Sequence, residues 1–154
     1  DISGAPLKYV GVFRDDQINT VQQTAERLSL AAVQLHGQED PSYINQLREV
    51  LPASCQIWKA LTVSDTLPTR SLQHVERYVL DNGDGGTGQR FDWSLLAGQP
   101  LDNVLLAGGL NADNCAAAAQ LGAAGLDINS GVESAPGIKD PQLIAAVFQT
   151  LRAY

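Results

Sequence analysis

Methionine is absent from all 154 residues, and the chain opens on Asp1. The sequence is therefore expected to be a cleaved or excised piece of something larger, with residues 1–6 a disordered or non-native leader. Only two cysteines occur, Cys55 and Cys115. Their placement offers neither a disulfide framework nor a zinc-ligand pattern, so a reducing cytoplasm is the expected compartment. Basic residues are also scarce, with 10 Lys and Arg against 17 Asp and Glu for a net charge of −7. That balance argues against nucleic acid or an anionic membrane as a partner. Long apolar runs are missing too. None approaches the ~18 residues of a membrane span, and the opening residues do not read as a signal peptide.

What remains has the profile of one globular domain spanning 1–154, 44% hydrophobic and 18% charged. Strand-like runs recur at Tyr9–Phe13, Ala32–His36, Gln56–Leu61, Tyr78–Asp81, Val104–Ala107 and Gly125–Asn129. They are short and apolar on both faces, as a parallel sheet covered by helices requires. Amphipathic segments alternate with them at Ile18–Leu28, Pro41–Val50, Thr66–His74, Trp93–Leu96, Asp113–Leu121 and Pro141–Leu151. Asp40-Pro41 and Asp140-Pro141 each place an N-cap before a proline at the first helical position, and Gly122 suits a left-handed helix end. Six βα units in succession mean a parallel α/β fold. Two architectures fit. A closed (β/α)₈ barrel needs eight units, so six would be three quarters of one; an open doubly wound sheet competes.

In a barrel the working groups sit at the C-terminal ends of the strands. Those ends carry Arg14-Asp15, Gln34 and His36, Lys59, Asp81-Asn82, Gly108-Gly109, and Asp127 with Asn129-Ser130-Gly131. The loop after the fourth strand spells G-x-G-x-x-G at Gly83, Gly85 and Gly88. A dinucleotide fingerprint belongs in the first βα turn, with an acidic residue about 20 positions on, and here the next strand ends in Ala107-Gly108-Gly109. A mobile lid or a plain turn suits that loop better. The glycines of Gly108-Gly109 and Ser130-Gly131 follow the last two strands, where backbone amides can approach a phosphate. A simpler role for Gly108 and Gly109 is to turn the chain before an Asn111 N-cap. An acidic chain can bind a phosphate ester in this way without a basic patch.

The segments YVGVF, AAVQLHG, IWKAL, YVLDNGDGGTGQRFDWSLL, LLAGGLNADN and GLDINSGVESAPGIKD resemble, in order and spacing, phosphoribosylanthranilate isomerase from about Leu7 to Tyr154. The most specific matches are the loop G-x-G-[ST]-G-x-x-F-D-W and the loop D-[IVF]-[NS]-S-[GA]-V-E. The resemblance implies an Amadori rearrangement of N-(5′-phosphoribosyl)anthranilate in tryptophan biosynthesis, with no cofactor and no metal. It implies a partial (β/α)₈ barrel comprising units three to eight. It makes Asp81 the general acid that protonates the furanose oxygen, a role suited to a carboxyl shielded beside a glycine loop. An Asp-Asn-Gly run also opens ordinary turns. Gly108, Gly109, Ser130 and Gly131 match phosphate-cradling positions, and His36 and Asp127 match residues lining the substrate cleft. His36 alone reads equally well as a packed strand-end histidine.

One departure is large. The family's general base is a cysteine in a K-[IV]-C-G motif on the first strand, and neither Cys55 nor Cys115 matches it. The second unit, whose loop carries a substrate-holding arginine in that family, is missing as well. The expectation is a truncated isomerase with a surviving phosphate site and little or no activity alone. Its open edges would favour weak self-association. The alternatives are an isomerase part completed by a second chain, and a non-catalytic fragment that binds phosphate esters or serves as a partial-barrel folding unit. A ribulose-phosphate epimerase is disfavoured by the FDW loop and by missing metal-ligand histidines.

Overall fold

A computed structural model describes residues 7–82 and 91–152. The chain divides into two compact units, Asp1–Ala60 with Arg70–Arg77, and Leu61–Thr69 with Tyr78–Tyr154. The leader 1–6 and the glycine-rich loop at Gly83, Gly85 and Gly88 lie outside the described residues.

In the first unit, β1 (Val10–Phe13), β2 (Ala32–Leu35) and the opening of β3 (Gln56–Thr62) pair in parallel in that order. The connections are α1 (Ile18–Leu28) and α2 (Pro41–Val50). Each helix buries one stripe, Val21 and Ala25 on α1, Ile44 and Leu47 on α2. These spacings of four and three put the residues on one helical face. The stripes join Phe13, Val33, Leu35 and Ile57 in a single core cluster. Asp40 accepts the Tyr43 N–H at 2.8 Å, the expected cap ahead of Pro41. At the other end of α1, Ser29 turns with φ 49° and Leu30 N–H donates to the Ala25 carbonyl, closing the helix.

The second unit pairs β4 (Arg77–Asp81, from Tyr78 onward in this unit), β5 (Val104–Leu106) and β6 (Gly125–Leu126), again in parallel. Helices α3 (Cys115–Ala119) and α4 (Pro141–Arg152) belong to it. Leu80, Leu96, Val104, Leu106 and Leu110 form its main core cluster; Cys115, Val132 and Val147 form a smaller one. Asp140 Oδ1 accepts the Gln142 N–H at 2.7 Å, so this cap also forms as expected.

Several sequence expectations are corrected. Thr66–His74 is not a helix. Pro68 has no amide to donate and disfavours a helical Leu67, and His74 turns with φ 63°. Trp93–Leu96 is a single 3₁₀ turn, opened by an Asp92 side chain that accepts the Ser94 N–H. The sixth strand stops at Leu126 rather than Asn129, because β5 ends at Leu106 and offers only one further contact, Asp127 N–H to the Leu106 carbonyl at 2.7 Å. Beyond it lies an unanticipated antiparallel hairpin, β7 (Glu133–Ala135) and β8 (Ile138–Lys139). Its signal was Pro136-Gly137 between polar-apolar alternations, with Gly137 at φ 77°.

Among the described residues, β1 pairs only with β2 and β6 only with β5. Backbone groups with no neighbouring strand open at low free energy. Amide hydrogen exchange should therefore be slowest in β2 within the first unit and in β5 within the second. Protection in Val10–Phe13 or Gly125–Leu126 equal to those strands would contradict this.

Candidate functional site

The strand-end polar residues fall into one cluster per unit. In the first unit Lys59 and Glu39 are the organising pair. Lys59 Nζ donates to Glu39 Oε2 at 2.7 Å and to the Gly37 carbonyl at 2.7 Å. The two side chains are 7% and 1% exposed, which makes this a buried ion pair. Glu39 Oε1 also accepts the Asp15 N–H at 2.9 Å, and Oε2 the Gly37 N–H at 2.9 Å. Asp15 in turn accepts the Gln38 N–H at 2.6 Å. The loops after β1 and β2 are thus tied to β3 through one carboxylate. A β-carbon on Gly37 would overlap the Asp15 carboxylate, so any larger residue there has to displace that side chain.

His36 follows β2 on this knot and is exposed, with Nε2 paired to Gln34 Oε1. The packed-histidine alternative is thereby removed. Glu39, as Lys59's partner, was not singled out from sequence; the signal was an acidic residue three positions after the strand-end His36. Burial pushes the Glu39 carboxyl up, but the Lys59 hydrogen bond, the backbone N–H donors and the Lys59 charge hold it below its ordinary 4.5. Tyr43, whose hydroxyl donates to the Asp16 carbonyl at 2.8 Å, is pushed up to about 12 by burial and by the charges of Glu39, Asp16 and Asp15.

The second unit holds the other candidates. Asp81 ends β4, and its backbone carbonyl accepts the Val63 N–H at 2.7 Å. Its Oδ1 is buried and has no hydrogen-bond partner among the described residues. Beside it, Gly108 turns with φ 85°; a β-carbon there would come 2.7 Å from Asp81 Oδ1 and 3.3 Å from the Asn82 amide nitrogen. Gly109 also turns with positive φ, at 63°. The Asn114 side chain staples this loop, donating to the Gly109 carbonyl and accepting the Asn111 N–H, both at 2.9 Å. Asn111 does cap the next turn, accepting the Asp113 N–H at 2.9 Å. The neighbouring loop opens a 3₁₀ turn at Ser130–Val132. A β-carbon at Gly131 would overlap the Leu110 carbonyl, so the two glycine loops touch. Asp127 lies just past β6, half-buried.

Neither cysteine stands at a strand end. Cys55 is buried ahead of β3, where burial pushes its thiol up, and Cys115 is buried at the start of α3. No cluster of three or more metal-ligating side chains occurs among the described residues, and no helix there is long and apolar enough to cross a membrane.

The sequence profile of the N-(5′-phosphoribosyl)anthranilate (PRA) isomerase family matches residues 2–150. The chain belongs to this family. A relative, the tryptophan biosynthesis protein TrpCF of Yersinia pestis, is 80% identical over 153 residues, which are 99% of this chain and 32% of that protein. The chain thus spans about a third of the length of such relatives. Among solved structures, the PRA isomerase of Thermus thermophilus matches with a TM-score of 0.79 at 30% identity, covering 96% of this chain and 73% of that one. A PRA isomerase crystallised with reduced 1-(o-carboxyphenylamino)-1-deoxyribulose 5-phosphate matches with a TM-score of 0.76 at 26% identity, covering 98% and 75%. The parallel α/β fold read from the sequence is the PRA isomerase fold.

Because Glu39 is held below its ordinary 4.5, its contribution is complete above that pH and disappears as pH falls through it toward the folded value. Acid should destabilise the wild type more steeply than Glu39→Gln below about pH 5. Lys59→Met, which strands a buried carboxylate, should cost about 3–5 kcal/mol at neutral pH. Denaturant unfolding across pH checks both; parallel pH profiles for wild type and Glu39→Gln would contradict the assignment.

Proposed function

We propose that these 154 residues carry the acid-and-phosphate part of a PRA isomerase site, arranged as βα units three to eight of its barrel. The observation that carries this reading is the buried Asp81 Oδ1, which has no partner among the described residues and lies against the positive-φ Gly108. A carboxyl so placed has an oxygen left for substrate. On this reading Asp81 protonates the furanose ring oxygen of N-(5′-phosphoribosyl)anthranilate as the sugar opens. Backbone amides of Gly108, Gly109, Ser130 and Gly131 receive the phosphate, which suits a chain with net charge −7. The bound deoxyribulose 5-phosphate analogue of one solved relative supports a phosphate ester as ligand. On the same reading, His36 in the first unit and Asp127 in the second match family residues that touch the rest of the substrate. The reaction needs neither cofactor nor metal, and its setting is the cytoplasm.

The rearrangement also needs a base to take a proton from carbon once the sugar has opened. The K-[IV]-C-G motif is not in these residues, and Cys55 is a poor substitute because burial holds its thiol protonated. Acid and base serve different proton transfers, so Asp81 does not stand in for it. The 154 residues taken alone are accordingly inactive, or nearly so, and the base comes from residues outside them. The edges of β1 and β6 that have no strand partner among the described residues are the surfaces through which such chains would weakly associate.

Two measurements check this reading. A steady-state assay following loss of anthranilate fluorescence should show no turnover by the 154 residues alone; a rate within about tenfold of a full-length relative would overturn the proposal, since a missing base lowers rates by ~10²–10⁴. Titration with inorganic phosphate should shift amide resonances at Gly108-Gly109 and Ser130-Gly131. Shifts elsewhere, or none at millimolar phosphate, would count against it.

A further inference from the structure

We infer that Lys139, held by Glu133, is a positioning residue for the Asn129–Gly131 loop; the inference rests on the reading of that loop as a phosphate cradle. Lys139 ends the hairpin that follows the loop, opposite Glu133 across the β7–β8 ladder. Its ammonium donates to the Asn129 carbonyl at 2.9 Å, to the Asn129 side-chain Oδ1, and to Glu133 Oε1 at 2.7 Å. An ammonium has three protons, and three acceptors take them. None is left over for an anion, so Lys139 is not itself a phosphate ligand.

What the bracket does is close a ring. The chain leaves β6, turns through Ser130–Val132, runs out along β7, and comes back along β8 to Asn129, where it started. Glu133 completes the closure, accepting the Gly137 N–H through Oε2 at 3.2 Å, which holds the hairpin turn. The Lys139 hydrogen bond and the Gly137 N–H keep the Glu133 carboxyl below its ordinary value. Two backbone bonds lie inside the ring, Val132 N–H to the Asn129 carbonyl and Asp140 N–H to the Val132 carbonyl, at 3.3 and 2.9 Å. On its far side Gly131 abuts the Leu110 carbonyl, leaving no room for the loop to shift that way. A loop whose amides must converge on one anion gains from such immobilisation, because less order has to be imposed when ligand arrives.

The charges make the inference testable against simple electrostatics. If nearby charge alone mattered, deleting the acidic Glu133 would strengthen anion binding. The bracket predicts the reverse. In phosphate titrations followed by amide resonances, Lys139→Met and Glu133→Ala should each weaken binding by about threefold to tenfold. Lys139→Arg, which keeps a donating cation, should recover part of the loss in Lys139→Met. Hydrogen exchange without phosphate gives a second readout, in which the Val132 and Asp140 amides should exchange faster in Lys139→Met and Glu133→Ala while those of β5 stay unchanged. Binding that is equal or tighter in Glu133→Ala overturns the inference, as does unchanged exchange at Val132 and Asp140. Should the wild type show no phosphate shifts at all, the cradle reading falls, and the exchange rates alone decide the bracket.

Discussion

Where β5 runs out, Gly108 turns at φ 85° directly beside the Asp81 carboxylate, and much of the second unit is arranged around that contact. Parallel strands finish at one end, so each must be steered away there without covering its neighbour's last side chain. Any β-carbon at position 108 would meet Asp81 Oδ1 at 2.7 Å and would suffer the left-handed backbone as well. Glycine removes both obstacles. The short β5 follows from the early turn, and the two-residue β6 follows from the short β5. The surroundings of the Asp81 carboxyl are thus set in part by the backbone at Gly108.

The first unit solves a similar problem with charge. The loops after β1 and β2 are held by one buried carboxylate that takes backbone N–H groups from Asp15 and Gly37 together with the Lys59 ammonium. Burying two charges is unfavourable in itself, and such a pair fixes conformation more than it adds stability. Here it fixes the loop that carries His36. The two clusters therefore reach rigidity by different means, a saturated ion pair in one and close glycine contacts in the other. The net charge of the chain plays little part in either.

Much of this was legible in the sequence. Doubly apolar strands alternating with amphipathic helices gave the parallel α/β class, and Asp-Pro pairs located two helix starts to the residue. Asp81 and the Gly108-Gly109 and Ser130-Gly131 loops were singled out because strand ends and glycines mark themselves, and the structure puts Gly108 beside Asp81. What stayed hidden depends on long-range partners. Thr66–His74 has enough apolar residues to suggest a helix, and only Pro68 and a left-handed His74 say otherwise. Glu39 and Lys59 stand 20 residues apart, with no periodicity to join them. Lys139 carries no signal in the sequence, because only the β7–β8 hairpin brings it back to Asn129.

The central claim is that glycine at position 108 leaves the Asp81 carboxyl undisturbed for the ligand proposed above, and one comparison isolates it. Gly108 and Gly122 share nearly the same backbone, φ 85° and 80°, but a β-carbon at Gly122 meets nothing within 4 Å. Alanine at either position carries the same left-handed strain, about 1 kcal/mol or more. Only at Gly108 does it press on Asp81. Calorimetric titration with reduced 1-(o-carboxyphenylamino)-1-deoxyribulose 5-phosphate should give Gly122→Ala an affinity within about twofold of wild type and Gly108→Ala a loss of at least about tenfold, roughly 1.4 kcal/mol. Equal affinities for the two variants would contradict the account.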